Sequence, residues 1–339
     1  ARLADDRAWR IALVGDPLQF SAVGRGGMFG MLVDAFGASE LDRVHRFESE
    51  WERDASLRLR RGDVDVATTY EDHGRLHGGT STQMERSIVN AWWWRRQAGD
   101  SAILMSPTHE AVERLNERAQ QMRLRAGELD PTGPSIDAGP YTLYVGDVIA
   151  TRRNDRDLIT DRNEMVRNRA TWTVEGIGAD GSILASGKNG RVLLPADYVE
   201  EVVDLAYATT VMGAQGRTVD AGLALFDKPS DVRNLYVAMT RGRATNEAFI
   251  VTSGEQTAED AFAQSIAADW IDLPAHVRRA ELWDEPLIPG QDRESSEVRY
   301  VDPIDAFNAQ LLDQLDELEA QAPDYYETGR PEVDIDMDF

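Results

Sequence analysis

The chain has 339 residues, of which 42% are hydrophobic, and its 60 acidic and 36 basic residues give a formal net charge of -24. Two or three domains fit this length, and the hydrophobic content excludes a disordered chain. The absence of cysteine excludes disulfides and thiolate metal sites, and the five histidines are not at metal-ligand spacing. No apolar run approaches the roughly 20 residues that span a bilayer, so we expect a cytoplasmic protein that does not bind membranes.

The negative charge is concentrated at the C-terminal end of the sequence. Residues 281–339 hold 18 Asp and Glu against three Arg, a balance of -15, so residues 1–280 carry only -9. The overall acidity therefore does not exclude nucleic acid as a ligand of the first 280 residues, although phosphate binding draws on clustered basic side chains. The acidic end of the chain is predicted to be disordered.

Two apolar runs in the first half of the sequence end in polar loops. Residues 11–14 are closed by Gly15-Asp16-Pro17, which predicts a buried parallel strand that leads into a loop. Residues 102–105 lead into Ser106-Pro107-Thr108, and apolar residues then recur at helical spacing over 111–122. This succession of strand, capped turn and helix indicates an α/β fold.

The second half of the sequence contains further strand patterns. Strands are predicted over 205–211, 222–226 and 248–252, with a helix over 231–242, and together with the earlier strands they predict one parallel sheet. Residues 141–204 differ, because short strand-like runs are separated by turn signals, and they predict a small β-barrel inserted into the α/β domain.

Three polar segments follow predicted strands, where open α/β sheets bind ligands. They are residues 13–24, 207–220 and 234–243. In this order they resemble motifs III, V and VI of superfamily 1 helicases, in the RecD-like branch that includes the helicase region of conjugative relaxases of the TraA type. Residues 41–47 resemble motif IV. The resemblance covers roughly residues 10–253 and implies a RecA-like parallel-sheet motor domain with an inserted Src-homology-3-like barrel.

The resemblance also implies which residues carry the chemistry. ATP hydrolysis requires positive charge at the γ-phosphate when two motor domains close. Arg241 is then the arginine finger, Arg46 a second guanidinium, and Gln19 the residue that senses the γ-phosphate and positions water. Gly15, Asp16, Gln215 and Gly216 are the expected nucleotide-binding residues. Thr108, Asn116, Thr210, Met212 and Arg152 are the expected contacts to single-stranded DNA.

Several positions have a plainer interpretation. Met212 stands where the family commonly has His, so the resemblance implies the loss there of a polar contact either to DNA or to the motif III loop. Arg217 and Arg243 are interpreted as solvated or salt-bridged side chains. Tyr207, Trp172 and the Trp92–Trp94 run could stack on bases, although core packing is expected for most of them. His73 and His77 are interpreted as surface residues without a third metal ligand.

The sequence lacks the Gly-x-x-x-x-Gly-Lys-Ser/Thr pattern of a phosphate-binding loop, since Lys188 is followed by Asn189 and Lys228 by Pro229. We therefore expect ATP and Mg2+ to bind only with an upstream Walker-bearing domain or polypeptide, and the chain alone to be inactive as an ATPase. The chain begins at Ala1, where such a half would join. Three explanations remain open: the chain is a truncated or split helicase, it is complemented by a second polypeptide, or it is a degenerate DNA-binding descendant of a helicase.

The expected organisation has five parts. They are the end of a first RecA-like domain (1–40), the first part of a second one (41–140), the inserted barrel (141–204), the second part (205–256) and a helical, acidic extension (257–339). Expected partners are single-stranded DNA, the Walker-bearing half and the conjugation machinery.

Overall fold

The computed structural model describes residues 12–16, 19, 28–39 and 46–268, which fall in the first of the two units of the chain, Ala1–Arg279. The predictions for residues 41–45, for most of the C-terminal extension and for the acidic end lie outside the described residues. No helix in the described part is long and apolar enough to cross a membrane.

The described part contains helices and strands in alternation. Its helices are α1 (Met28–Phe36), α2 (Glu50–Arg60), α3 (Val66–Asp72), α4 (Ser81–Gln97), α5 (His109–Arg125), α6 (Ala196–Val202), α7 (Val211–Ala214), α8 (Val232–Ala238) and α9 (Ala258–Ala267). Its strands are β1 (Leu76–Gly79), β2 (Ala102–Ser106), β3 (Ser135–Ala138), β4 (Tyr141–Tyr144), β5 (Val148–Thr151), β6 (Asp155–Ile159), β7 (Met165–Val166), β8 (Thr171–Ile177), β9 (Ile183–Gly187), β10 (Gly190–Leu194), β11 (Val203–Leu205), β12 (Ala208–Thr210), β13 (Val219–Phe226) and β14 (Gly242–Val251).

The core is a parallel sheet, in the order β1-β14-β13-β2-β12 within the described residues. Successive side chains of its central strands point to opposite faces, as in any strand. Leu104 and Leu223 pack with α4 and α5 on one face, whereas Ile103 and Ala224 pack with α2, α3, α8 and α9 on the other. The predicted α/β core with a parallel sheet is therefore confirmed.

Side-chain caps explain where the two long helices of the first face begin. Thr80 and Gln83 form a capping box at the start of α4, with Gln83 Oε1 accepting from Thr80 N at 2.9 Å. Thr108 Oγ1 accepts from Ala111 N at 3.4 Å at the start of α5. The predicted strand, capped turn and helix over 102–122 are confirmed.

Between α5 and β12 the chain forms antiparallel β-structure. Five of these strands make one sheet, in the order β10-β9-β8-β5-β11, and two hairpins, β3-β4 and β6-β7, accompany it in the described residues. We call this region the β-insertion, residues 135–205. β10 and β11 lie at the two edges of this sheet, so the β-structure expected here is present, while its closure into a barrel stays a prediction.

The predicted buried strand at residues 11–14 is wrong over its described part. Residues 12–15 have no regular secondary structure, and Leu13 and Val14 are 60% and 92% exposed. A strand of a parallel sheet needs neighbours on its edges and helices on its faces. No described strand lies beside this segment, which explains the difference.

Two other predicted elements have different bounds. The strand predicted over 205–211 is divided between two sheets, because the Asn116 amide bonds to Leu205 O and Ala208 N at 3.1 and 2.8 Å and holds the chain where it crosses over. The helix predicted over 231–242 ends at Ala238. There Thr240 Oγ1 donates to Tyr236 O at 2.6 Å, and the chain turns into β14.

Glu52 on α2 makes the stability of this fold depend on pH. It is fully buried, and burial raises the pKa of its carboxyl group, although Asn246 and Arg75 act in the opposite direction and Glu247 reinforces the rise. When a carboxyl group has a higher pKa in the folded than in the unfolded protein, its ionisation lowers the free energy of unfolding. This loss begins as the pH rises above the unfolded-state pKa, and it is complete once the pH has passed the folded-state pKa. Glu52→Gln should therefore stabilise the protein, and more at pH 8 than at pH 5. Urea unfolding across this range measures the difference, and an equal gain at both pH values would contradict the assignment.

Candidate functional site

The side chain of Arg241 lies at the turn between α8 and β14 and is 1% exposed. Its Nε donates to Val237 O at 2.8 Å and its Nη2 to Thr240 Oγ1 at 2.9 Å, while Nη1 makes only a long contact of 3.4 Å to Arg217 O. No carboxylate in the described part of the chain forms an ion pair with it. Buried arginines are normally paired, so this one carries uncompensated positive charge.

A second guanidinium increases that charge. Arg46 donates to Thr240 O, on the same turn as Arg241. Burial and, after it, the neighbouring Arg46 lower the pKa of Arg241 to about 10, while Tyr236 acts in the opposite direction. Burial likewise lowers the pKa of Arg46. A buried cation beside a partly buried one favours an anionic ligand, because such a ligand would relieve their mutual repulsion.

Asp16 and Gln19, in the loop that begins at Gly15, form side-chain hydrogen bonds to residues distant in sequence. Asp16 Oδ1 accepts from Arg60 Nη2 at 3.2 Å, and Asp16 Oδ2 accepts from Gln19 Nε2 at 3.1 Å. Gln215 Nε2 donates to Gln19 Oε1 at 3.3 Å. Gly216 follows with φ +82°, a conformation that favours glycine and lets the chain turn away from Gln215. The two predicted glutamines are therefore in direct contact.

Tyr236 connects the loop with the arginines. Burial raises the pKa of Tyr236, Asp16 raises it further, and Arg60, Arg46 and Arg241 lower it. These groups therefore lie within electrostatic range of one phenol. The sequence reasoning missed Arg60 and Tyr236. Tyr236 could have been found because it precedes Arg241 by five positions in the same motif, whereas nothing in the sequence brings Arg60 to Asp16.

The residues described so far form one group, which we call the arginine cluster. Its members are Asp16, Gln19, Arg46, Arg60, Gln215, Tyr236 and Arg241. Its guanidinium, amide and phenol donors suit the oxygens of a triphosphate. They do not suit a magnesium ion, which requires several oxygen ligands. No group of three or more His, Asp or Glu side chains that could hold a metal exists in the described part of the chain. The cluster therefore fits the phosphates of a nucleotide, with magnesium ligands required from elsewhere.

The predicted DNA contacts lie elsewhere and differ in accessibility. Thr108 and Thr210 are N-caps of α5 and α7, and Thr210 Oγ1 accepts from Gly213 N at 3.0 Å. Met212 is 38% exposed. Asn116 is only 2% exposed, and its amide bonds to the backbone of Leu205 and Ala208. Asn116 thus holds two strands in place and does not present its amide to solvent.

A crevice at the junction of the β-insertion and the parallel sheet is rich in arginine. Arg152, Arg169 and Arg217 line it, together with Thr171 and Thr209. Arg152 pairs with Asp204 at 2.6 Å, while Arg217 is half-buried and donates to Thr171 Oγ1 at 3.1 Å. Burial lowers the pKa of Arg217. Of the two interpretations of Arg217, a salt bridge is not seen within the described residues, and its side chain is partly exposed and bonded to Thr171.

The aromatic candidates are mostly core residues. Trp92, Trp172 and Tyr207 are buried, whereas Trp94 at the end of α4 is 72% exposed. Core packing, the expected role of most of these side chains, is confirmed for the three buried ones. His77 lies on β1 and contacts Glu247 at 3.0 Å, so it is a partly exposed edge residue.

Comparison with known proteins shows which proteins the chain is similar to. Residues 1–81 match the family model of an AAA domain. The probable conjugal transfer protein TraA of Sinorhizobium fredii is 28% identical over 241 residues, which is 69% of this chain and 21% of that protein. The uncharacterized protein Rv2311 of Mycobacterium tuberculosis is 31% identical over 130 residues, 37% of this chain and 72% of that protein. The chain is therefore similar, over about two thirds of its length, to part of the TraA conjugal transfer proteins.

The resemblance stated from motifs III, V and VI is thereby confirmed. Among solved structures, the Pif1 helicase from Bacteroides in complex with ADP-AlF3 and ssDNA aligns with 72% of this chain and 62% of that chain, with a TM-score of 0.38 and 15% identity. The chain spans about a fifth of the length of the TraA proteins that it matches. Its described core is a parallel sheet with helices on both faces.

Proposed function

We propose that this chain is the C-terminal motor part of an ATP-dependent translocase or helicase that acts on single-stranded DNA within a conjugative relaxase-helicase. The observation that supports it best is the pair formed by the buried Arg241 and the partly buried Arg46, which has no carboxylate between its members in the described residues. Unpaired buried charge is costly and is typical of a site that receives a charged ligand. A DNA-binding module without nucleotide turnover would not need it.

The residues of the arginine cluster would have separate roles in ATP hydrolysis. ATP with Mg2+ would supply the phosphoryl group and the free energy of hydrolysis. Arg241 and Arg46 would neutralise charge on the phosphate oxygens as the cleft closes. Gln19 would orient the attacking water, held by Gln215 at 3.3 Å. The Nη1 group of Arg241 has only its 3.4 Å contact to give up, so it is the donor we expect to reach the phosphate.

The phosphate-binding loop and the magnesium ligands would come from a Walker-bearing domain or polypeptide. No Gly-x-x-x-x-Gly-Lys-Ser/Thr sequence occurs in the 339 residues. The exposed apolar side chains of Leu13, Val14 and Phe36 would be covered by that domain. In this proposal residues 1–40 complete the first RecA-like domain, 41–140 and 205–256 form the second, 141–204 the insertion and 257–339 an extension.

We further propose that a single DNA strand lies along the arginine crevice at the edge of the β-insertion. Its backbone phosphates would contact Arg169 and Arg217, and Thr210 and the exposed Met212 lie on the adjoining segment. Arg217 would connect DNA with nucleotide, because its side chain reaches the crevice and its carbonyl receives the Nη1 contact of Arg241. ATP-driven closure would then alternately tighten and loosen the grip on the strand.

Loss of one crevice arginine should weaken single-strand binding. Arg169→Ala and Arg217→Ala are each expected to lower the affinity for a dT oligonucleotide about fivefold and to reduce the salt slope by about 0.7, the value for one phosphate contact on a single strand. Fluorescence anisotropy at several salt concentrations measures both. The matched control is Arg191→Ala, an exposed arginine of the β-insertion that pairs with Glu175 at 2.7 Å. An equal loss in the control would contradict the assignment.

Strand displacement tests the proposed function. The chain joined to its Walker-bearing half should separate a duplex with a 5′ single-stranded tail when ATP is present, since the RecD-like branch implies 5′ to 3′ movement. The rival proposal is a degenerate, non-catalytic DNA-binding subunit, which the methionine at position 212 favours. Binding of the tailed duplex without displacement by the joined form would support the rival and contradict the motor.

A further inference from the structure

The turn that carries Arg241 is unusually tight. Gly242 follows Arg241, and a Cβ atom at that position would lie 1.9 Å from Thr245 O, so no larger residue fits. The backbone of Arg241 itself is held by β13, because Val219 N donates to Arg241 O at 3.1 Å. The direction of the Arg241 side chain therefore depends on how Gly242 is held.

One buried side chain holds both backbone groups of Gly242. Asn246 Oδ1 accepts from Gly242 N at 2.6 Å, and Asn246 Nδ2 donates to Gly242 O at 3.1 Å. Asn246 is fully buried on β14. Its amide thus bonds both backbone polar groups of the residue next to Arg241.

A carboxylate on α2 fixes that amide in turn. Asn246 Nδ2 also donates to Glu52 Oε1 at 2.9 Å, and Glu52 is fully buried. The second oxygen, Glu52 Oε2, has no hydrogen-bond partner among the described residues. A half-bonded buried carboxylate destabilises a fold, so the role of Glu52 is better explained by its contact with Asn246 than by stability.

We propose that Asn246 is the positioning residue of Arg241: it clamps Gly242 so that the guanidinium stays beside Arg46, and Glu52 fixes the amide. This inference rests on the proposed function of Arg241 as arginine finger. It assigns Asn246 an action through Gly242, without contact to nucleotide. If Asn246 were only a structural residue, its loss would loosen the whole fold and not the Arg241 turn in particular.

Hydrogen exchange of arginine side chains separates the two roles in the chain alone. The Nε–H of Arg241 donates to Val237 O, and its NMR signal is assigned by its loss in Arg241→Lys. Asn246→Ala should speed exchange of this proton at least tenfold. The exchange rate of the Nε–H of Arg123 on α5, which donates to Glu128, should change less than twofold. Glu52→Gln keeps an acceptor for Asn246 and should also change the Arg241 rate less than twofold.

A second variant covers the case in which Asn246→Ala does not fold. The double variant Asn246→Asp with Glu52→Gln exchanges the amide and the carboxylate, so the net charge is unchanged. Asp at position 246 can still accept from Gly242 N, but it can no longer donate to Gly242 O. It should speed exchange at Arg241 at least threefold. An unchanged rate at Arg241, or an equal rise at Arg123, would overturn the proposal in either variant.

Turnover in the joined form gives the second readout. Asn246→Ala should lower kcat for ATP hydrolysis about tenfold and change KM for ATP less than twofold, because an interaction made in the transition state is misaligned while binding persists. A rise in KM with unchanged kcat would overturn the proposal. If the unaltered joined form does not hydrolyse ATP, the proposed function fails, while the exchange measurement still decides whether Asn246 positions Arg241.

Discussion

Arg241→Ala is expected to reduce single-strand-stimulated ATP hydrolysis by a factor of about 1,000 or more in the chain joined to its Walker-bearing half, the loss typical of a missing arginine finger. Arg241 is buried next to Arg46 and has no carboxylate partner in the described part, so its charge is available to a phosphate. Steady-state turnover at saturating DNA measures the effect. Single-strand binding should stay within twofold of the unaltered protein, because Arg241 does not line the crevice.

Two variants control this experiment. Arg243→Ala removes an exposed arginine two positions further along β14 and should leave turnover within twofold. Arg241→Lys keeps a charge but loses the planar group that donates to Val237 O and Thr240 Oγ1 together, so most of the loss should remain. Equal turnover in Arg241→Ala and Arg243→Ala would contradict the assignment of the finger.

The largest loss of stability is expected for Asp147→Ala. Asp147 is fully buried between the β-insertion and α5, and it accepts from Gln120 Nε2 and Tyr144 N at 2.8 Å each and from the Tyr207 hydroxyl. The substitution would leave Tyr144 N and the Tyr207 hydroxyl without this acceptor, at about 1–3 kcal/mol for each unsatisfied group, whereas Gln120 Nε2 keeps its bond to Thr142 O. We expect the free energy of unfolding to fall by about 3 kcal/mol or more, measured by urea denaturation.

The control for this prediction is Asp137→Ala, also in the β-insertion. Asp137 is exposed and accepts one side-chain bond, from Thr142 Oγ1 at 2.8 Å, so its loss should change the free energy of unfolding by at most about 0.5 kcal/mol. Because Asp147 connects the insertion with α5 and Tyr207, its removal should also loosen the junction beside the crevice. Equal destabilisation by the two variants would contradict the account of the Asp147 network.

Much of the parallel core could be predicted from local pattern. The runs at 102–105, 222–226 and 248–252 are apolar and end in turns, and all became central strands. β1 could not be predicted, because Leu-His-Gly-Gly has little strand propensity and forms a strand only by pairing with β14, Leu76 opposite Ala248. The run at 11–14 shows the converse, since apolar residues alone do not make a strand without neighbours.

Some residues of the candidate site could likewise be predicted from the sequence, and others could not. Gln19, Arg46 and Arg241 could be predicted because a motif fixes their identity and order. Arg60 and Arg217 could not, since each owes its position to a contact distant in sequence, with Asp16 and Thr171 respectively. A sequence motif also does not specify the direction in which a side chain points.

The central claim is that this chain is the arginine-finger half of a nucleotide site. Single-strand-stimulated ATP hydrolysis should be measured for the chain alone and for the chain joined to the polypeptide that its upstream coding region encodes. The account predicts no appreciable hydrolysis by the chain alone and DNA-dependent turnover by the joined form. Single-strand binding by both forms without turnover by the joined form would contradict it and leave a DNA-binding module in its place.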